Sequence, residues 1–160
     1  MEAKRIKKNS KLAKQVITEG HQVGNHSYSH PDFTKISIKE IKKEIQKSEE
    51  IFKKYLNIKP KLFRPPAGKL TKEIKQELWK RDYTIVLWSY SIKDWEGPNS
   101  KAIAKRVLSQ KKDGAIIILH DKYNWNKKAL DLIITNLKNK NYKFKTLKPL
   151  KDNKALIKEV

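Results

Sequence analysis

Apolar residues recur along this chain in two rhythms. Over Lys11–Glu19 they fall at Leu12, Val16 and Ile17, one face of a short helix, with Asn9 or Ser10 placed to cap its start and Gly20 its end. Ser37-x-x-Glu40 is a capping box that opens a longer helix to Leu56, whose apolar positions are Ile38, Ile41, Ile45, Ile51, Phe52 and Leu56. Thr71 caps a third helix to Lys80 and Ser100 a fourth to Gln110, and a fifth spans Lys127–Lys138. Between them lie short apolar stretches, Gln22–Gly24, Lys61–Phe63, Tyr83–Trp88, Ala115–Leu119 and Tyr142–Thr146, which read as strands. Ala115–Leu119 is uninterrupted, as expected of a strand covered on both faces. Strict alternation of helix and strand predicts an α/β fold with a parallel sheet. With no linker, repeat or low-complexity tract, residues 1–160 are expected to form one domain large enough to bury a core.

The residues with chemistry sit where the expected strands end. Two of the four histidines lie in Gly24-Asn25-His26-Ser27-Tyr28-Ser29-His30-Pro31. A spacing of four places both rings on one side of a helical turn, while Pro31 and the small polar residues favour an irregular turn. Either way two imidazoles can converge on one cation, and zinc takes such ligands. The alternative is a polar loop with two solvated histidines. Three further polar clusters follow: Phe63-Arg64-Pro65-Pro66-Ala67-Gly68, Trp88-Ser89-Tyr90-Ser91-Ile92-Lys93-Asp94-Trp95 and Ile118-Leu119-His120-Asp121. Each begins at a strand's C-terminal end, the rim on which barrel enzymes place their chemistry.

In this order and spacing the four clusters resemble the polysaccharide deacetylases with the NodB homology domain, carbohydrate esterase family 4. His26 and His30 match its His-Ser/Thr-x-x-His motif, and Arg64 and Pro66 match Arg-x-Pro-Tyr, with Ala67 in place of tyrosine. Asp94 and Trp95 match Asp-x-x-Asp-Trp, with Ser91 at the first acidic position, and Leu119-His120 matches the last motif. The resemblance spans about Leu12 to about Leu150. It implies an irregular (β/α) barrel of the NodB type and hydrolysis of N-acetyl groups on an N-acetylhexosamine polymer such as peptidoglycan or a chitin-like glycan. It also implies a divalent metal, zinc foremost, on His26 and His30, and an Arg64 that orients the base carboxylate. Ala67 would offer a backbone N–H to the oxyanion, next to Pro66. Trp95 and Leu119 would wall the acetyl pocket, with core packing as their alternative. His120, oriented by Asp94, would protonate the leaving amine.

The family's first motif, Thr-Phe-Asp-Asp-Gly, has no counterpart. Only Glu2 and Glu19 are acidic before Gly24. That motif carries the general base and the third metal ligand, so the chain reads as a barrel of about five strands without its first ones, and is expected to be inactive alone. Gln22–Gly24 and Tyr142–Thr146 are then expected to border the gap as unpaired edges.

Charge offers a rival reading. Lysine and arginine total 38 against 17 acidic residues, a net charge of +21. Such a balance suits a polyanion binder, whether of cell-wall polymers or of nucleic acid. Arginine, which specific nucleic-acid readers favour, occurs only at positions 5, 64, 81 and 106, and the lysines are spread over every helix. Solvated faces with loose attraction to anionic polymers are therefore expected, not a specific nucleic-acid surface; a glycan binder without catalysis is the other alternative. Cysteine is absent, which excludes disulfides and thiolate chemistry. Met1–Ser10 are charged and no apolar signal segment follows, yet the implied substrate places the full-length protein outside the cell or at the cell wall.

Overall fold

The computed structural model describes residues 1–97 and 99–149. They fall into two compact units, residues 1–87 with 146–149, and residues 88–145.

In the first unit α1 (Ala3–Lys8), α2 (Ser10–Thr18), α3 (Ile38–Leu56) and α4 (Lys72–Lys80) accompany a parallel pair, β1 (Leu62–Phe63) and β2 (Thr84–Ile85). The sequence pattern hides α1, since only Ala3 and Ile6 of its six residues are buried. α3 begins with the expected capping box, Ser37 accepting from the Glu40 N–H and Glu40 reaching back to the Ser37 N–H at 2.8 Å. Thr71 caps α4. Asn9 precedes α2 but makes no side-chain cap; its amide donates to the Arg5 carbonyl. After α2, Gly20 turns left-handed at φ 81°, and His21 N–H returns to Val16 C=O. Asp82 and Asn141 end α4 and α6 (Asn124–Asn139) in the same way. Two apolar clusters fill this unit. Phe33, Ile45, Phe63, Leu78 and Tyr83 centre one between α3, α4 and the strands. Ala3, Ile6, Ala13 and Phe52 form the other, where α1 and α2 pack on α3.

The second unit pairs α5 (Ser100–Ser109) with α6 over Ile92, Ile103, Val107, Ala129 and Ile133. Asn99, not Ser100, caps α5: its Oδ1 takes the Ala102 N–H, while the Ser100 hydroxyl donates to the Trp125 carbonyl.

The strands are shorter than expected. Gln22–Gly24 is not a strand, and pairing starts one residue later with an Asn25–Phe63 bridge. Of Tyr83–Trp88 only Thr84–Ile85 forms the ladder with β1, and the Val86 N–H extends it by one bond to Phe63 C=O at 2.8 Å. Ala115–Leu119 is half-buried and holds one bridge, Ile117 to Tyr90. The reason is local: the Ile116 N–H is taken by the Ser89 hydroxyl at 2.9 Å instead of a backbone carbonyl. Tyr142–Thr146 forms no strand and is largely exposed, Phe144 included. The expected unpaired edges are partly filled. The Met1 amine donates to Gly24 C=O, the His26 N–H donates to Met1 C=O, and the Gln22 amide pairs with both backbone groups of Leu147, at 2.7 and 2.8 Å.

Candidate active site

The histidine turn is set by the sheet. The Asn25 N–H donates to Leu62 C=O at 2.8 Å, and the Arg64 N–H donates to Asn25 C=O at 2.9 Å, so the turn departs beside the end of β1. It contains two left-handed residues, Ser27 at φ 63° and His30 at φ 62°. The Ser27 hydroxyl accepts the His30 N–H at 3.0 Å. Glu44 of α3 accepts the N–H groups of Tyr28 and Ser29 and the Ser29 hydroxyl. The His26 and His30 rings meet edge to face with centroids 4.7 Å apart.

His26 Nδ1–H donates to the Arg64 carbonyl at 2.6 Å, which leaves Nε2 with a free lone pair. Burial pushes its pKa down to about 4, with the charges of His30 and Arg64 adding and the Arg64 carbonyl bond opposing. A neutral imidazole with a fixed tautomer is the form that binds a cation, so this pair fits two positions of a divalent-metal site. Among the described residues no group of three or more His, Cys, Asp or Glu completes one.

The same shift makes stability depend on pH. In the unfolded chain His26 binds its proton near 6.5, in the folded one near 4. Between those values the unfolded state holds more protons, so this contribution is full above pH 6.5 and declines as pH falls to about 4. The loss is expected to be roughly 3 kcal/mol, at about 1.36 kcal/mol per unit. Urea unfolding at pH 7 and pH 4 checks it: the difference should shrink by that amount in His26→Gln, and an equal difference in both proteins would refute it.

Arg64 leaves β1 with its guanidinium turned to two carbonyls, Nε to Val86 at 3.4 Å and Nη2 to Leu87 at 3.2 Å. Burial lowers its pKa. Among the described residues no carboxylate pairs with it. Pro66 is buried and opens a single 3₁₀ turn, Pro66–Gly68, in which exposed Ala67 takes φ 53°. Asp32 follows the histidines as a loop brace: Lys69 Nζ reaches its carboxylate at 2.6 Å, and that bond, with those of Thr34, holds the carboxyl below its usual range. His21 is exposed, 3.9 Å from Glu19.

In the second unit Asp94 starts a one-turn 3₁₀ helix, Asp94–Glu96, after a left-handed Lys93 at φ 49°. It is 1% exposed, and its carboxylate accepts three hydrogen bonds. Oδ2 accepts the His120 N–H at 2.6 Å and Asn126 Nδ2; Oδ1 lies 2.7 Å from His120 Nδ1. The expected approach of Asp94 and His120 is thus present. Asn126 also donates to His120 C=O, and Trp125 Nε1 to Asp94 C=O. Trp95 is 45% exposed and stands edge-on to His120 at 5.7 Å, so it is not core packing; Leu119 is half-buried against the apolar cluster of its own unit. Tyr123 meets His120 edge-on and stacks on Trp125 at 5.1 Å. Trp88 is half-buried, and the Tyr28 ring lies under Lys47 Nζ.

Sequence reasoning missed Asn25, Ser48, Glu44 and Asn126. Asn126 precedes the expected start of the last helix, which begins instead at Asn124, and no spacing rule links it to Asp94, 32 residues earlier.

The polysaccharide deacetylase family model matches residues 1–86. Peptidoglycan-N-acetylmuramic acid deacetylase PdaC of Bacillus subtilis is 37% identical over 140 residues, 88% of this chain and 29% of that protein. Peptidoglycan-N-acetylglucosamine deacetylase PgdA of Listeria monocytogenes is 35% identical over 149 residues, 93% of this chain and 31% of its own length. The chain thus spans about a third of these curated relatives. Among solved structures, a CE4 family pseudoenzyme from Bacillus anthracis superposes with TM-score 0.82 at 31% identity, over 89% of this chain and 50% of that one. A mutant of that pseudoenzyme with restored enzymatic activity gives the same TM-score. The fold class expected from the motifs, a NodB-type (β/α) barrel, is that of these structures, and the described residues, helix-rich with a short two-stranded sheet, are consistent with part of one.

Proposed function

The chain belongs to the polysaccharide deacetylase family, and from that premise we propose that it is part of a metal-dependent de-N-acetylase of peptidoglycan or a related N-acetylhexosamine polymer, working outside the cell or at the cell wall. The observation that carries this reading is the Asp94–His120 pair: a buried carboxylate holding a half-exposed imidazole by Nδ1. Amide hydrolysis needs a proton on the departing amine, and a histidine held in this way is placed to supply it. Asp94 fixes its tautomer and steadies the imidazolium; Asn126 positions Asp94.

His26 and His30 hold the divalent cation, with zinc first by donor chemistry. Bound there, it supplies Lewis acidity to an acetyl carbonyl and lowers the pKa of a water. Arg64 keeps the base carboxylate ionised, its guanidinium held at the end of β1 by the Val86 and Leu87 carbonyls. The Ala67 N–H donates to the developing oxyanion, which a backbone donor does whatever its side chain. Pro66 fixes that turn; in the second unit Trp95, exposed beside His120, and Leu119 are the proposed walls of an acetyl pocket. The lysine excess gives loose attraction to anionic wall polymers and no specific nucleic-acid readout.

A second reading is a glycan-binding protein without catalysis. It is favoured by Ser91 at an acidic motif position, by the lack of any Asp-Asp pair in residues 1–160, and by the likeness to a pseudoenzyme.

The test joins residues 1–160 to a strand carrying Thr-Phe-Asp-Asp-Gly and follows acetate release from an N-acetylglucosamine oligomer. His120→Ala is expected to lower the rate at least about 100-fold. An unchanged rate removes the acid assignment, and no release by the joined wild type favours the binding reading.

A further inference from the structure

Asn25 is 1% exposed and uncharged, yet its amide joins three parts of the first unit. Oδ1 accepts the Ser27 N–H at 3.0 Å and the hydroxyl of Ser48, on α3, at 2.6 Å. Nδ2 donates to the Tyr83 hydroxyl, just before β2, at 2.8 Å. Two donors demand the amide oxygen, so the nitrogen must face the phenol. The phenol oxygen accepts that amide N–H, and burial, with the Glu49 carboxylate beside it, raises the phenol pKa well above the usual range, so the hydroxyl stays protonated and uncharged. The hydrogen bonds therefore run one way, and the backbone of Asn25 is paired with Leu62 and Arg64.

We propose that Asn25 is the positioning residue of the histidine pair, tuning cation affinity without touching the cation. It holds the Ser27 N–H, which keeps Ser27 left-handed; the Ser27 hydroxyl in turn holds the His30 N–H. Left-handed residues other than glycine are strained and persist only where their surroundings over-determine them. Alanine at position 25 strands the Ser27 N–H and the Ser48 hydroxyl and lets the turn relax. His30 then leaves its 4.7 Å approach to His26, while His26 stays on the Arg64 carbonyl. This inference rests on the reading of His26 and His30 as cation ligands.

The test titrates zinc into residues 1–160 while NMR follows the Cε1 protons of both histidines. Asn25→Ala is expected to raise the apparent Kd at least about tenfold, the effect typical of lost outer-shell partners. Ser48→Ala and Tyr83→Phe each remove one support and should raise it less; they decide the matter if Asn25→Ala does not fold. Ile45→Val trims the core of the same unit and should lower stability while leaving Kd unchanged. Equal Kd in the folded Asn25, Ser48 and Tyr83 variants, or an equal rise in Ile45→Val, overturns the positioning role and leaves the metal reading standing. Wild-type signals that do not saturate with zinc overturn both.

Discussion

Residues 1–160 are expected to release acetate from an N-acetylglucosamine oligomer roughly 10²–10⁴-fold more slowly than the same residues joined to a Thr-Phe-Asp-Asp-Gly strand. General-base catalysis supplies a factor of that size, and the described residues place no carboxylate on Arg64 to act as one. The cation site compounds the loss. His26 and His30 offer two nitrogens, and a catalytic zinc normally rests on three protein ligands. Equal rates for the two forms at saturating zinc would mean that another group takes the proton from water, and that Arg64 has a different task.

Asp94→Ala is expected to lower stability by roughly 3 kcal/mol, a fall in Tm of roughly 10 °C for a chain of this size. One substitution removes the acceptor of three hydrogen bonds, from the His120 N–H, His120 Nδ1–H and Asn126 Nδ2, at a carboxylate that is 1% exposed. His120→Ala should cost less, about 1 kcal/mol, because it leaves the Asn126 and backbone bonds to Asp94 in place and His120 is already half-exposed. Tryptophan fluorescence reads the difference, since Trp88, Trp95 and Trp125 all belong to the second unit. Equal losses for both variants would show that the carboxylate serves only His120.

The helices were legible because their signals are local. A capping box at Ser37–Glu40 and a threonine at position 71 act within one turn, and both do so in the structure. The histidine turn was legible for the same reason, being two rings four residues apart. What escaped is held over distance. Asn25 meets Ser48 and Tyr83, 23 and 58 residues away, and Asn126 meets Asp94 across 32, so no periodicity records them. The strands were over-read for a related reason. An apolar run shows that a segment can ladder, but the partner decides how far it does. β1 is two residues long, and the Ser89 hydroxyl takes a bond that the ladder would have used. Tyr142–Thr146 has the alternation of a strand, yet it lies exposed and unladdered. α1 had the opposite fault, a helix with too few apolar positions to announce itself.

The Gln22 amide makes with Leu147 the pair of bonds that a neighbouring strand would make with its backbone. A backbone rung lies almost beyond the reach of point mutation, since every residue but proline brings the same N–H and C=O. A rung built from a side chain is written in one codon. Selection can keep it, shorten it to asparagine or erase it without touching the polypeptide's regular pairing. The attachment of residues 146–149 is in that sense an inherited option, open to loss and recovery by single-base change, while the pairing of β1 with β2 is fixed by the chemistry common to all residues.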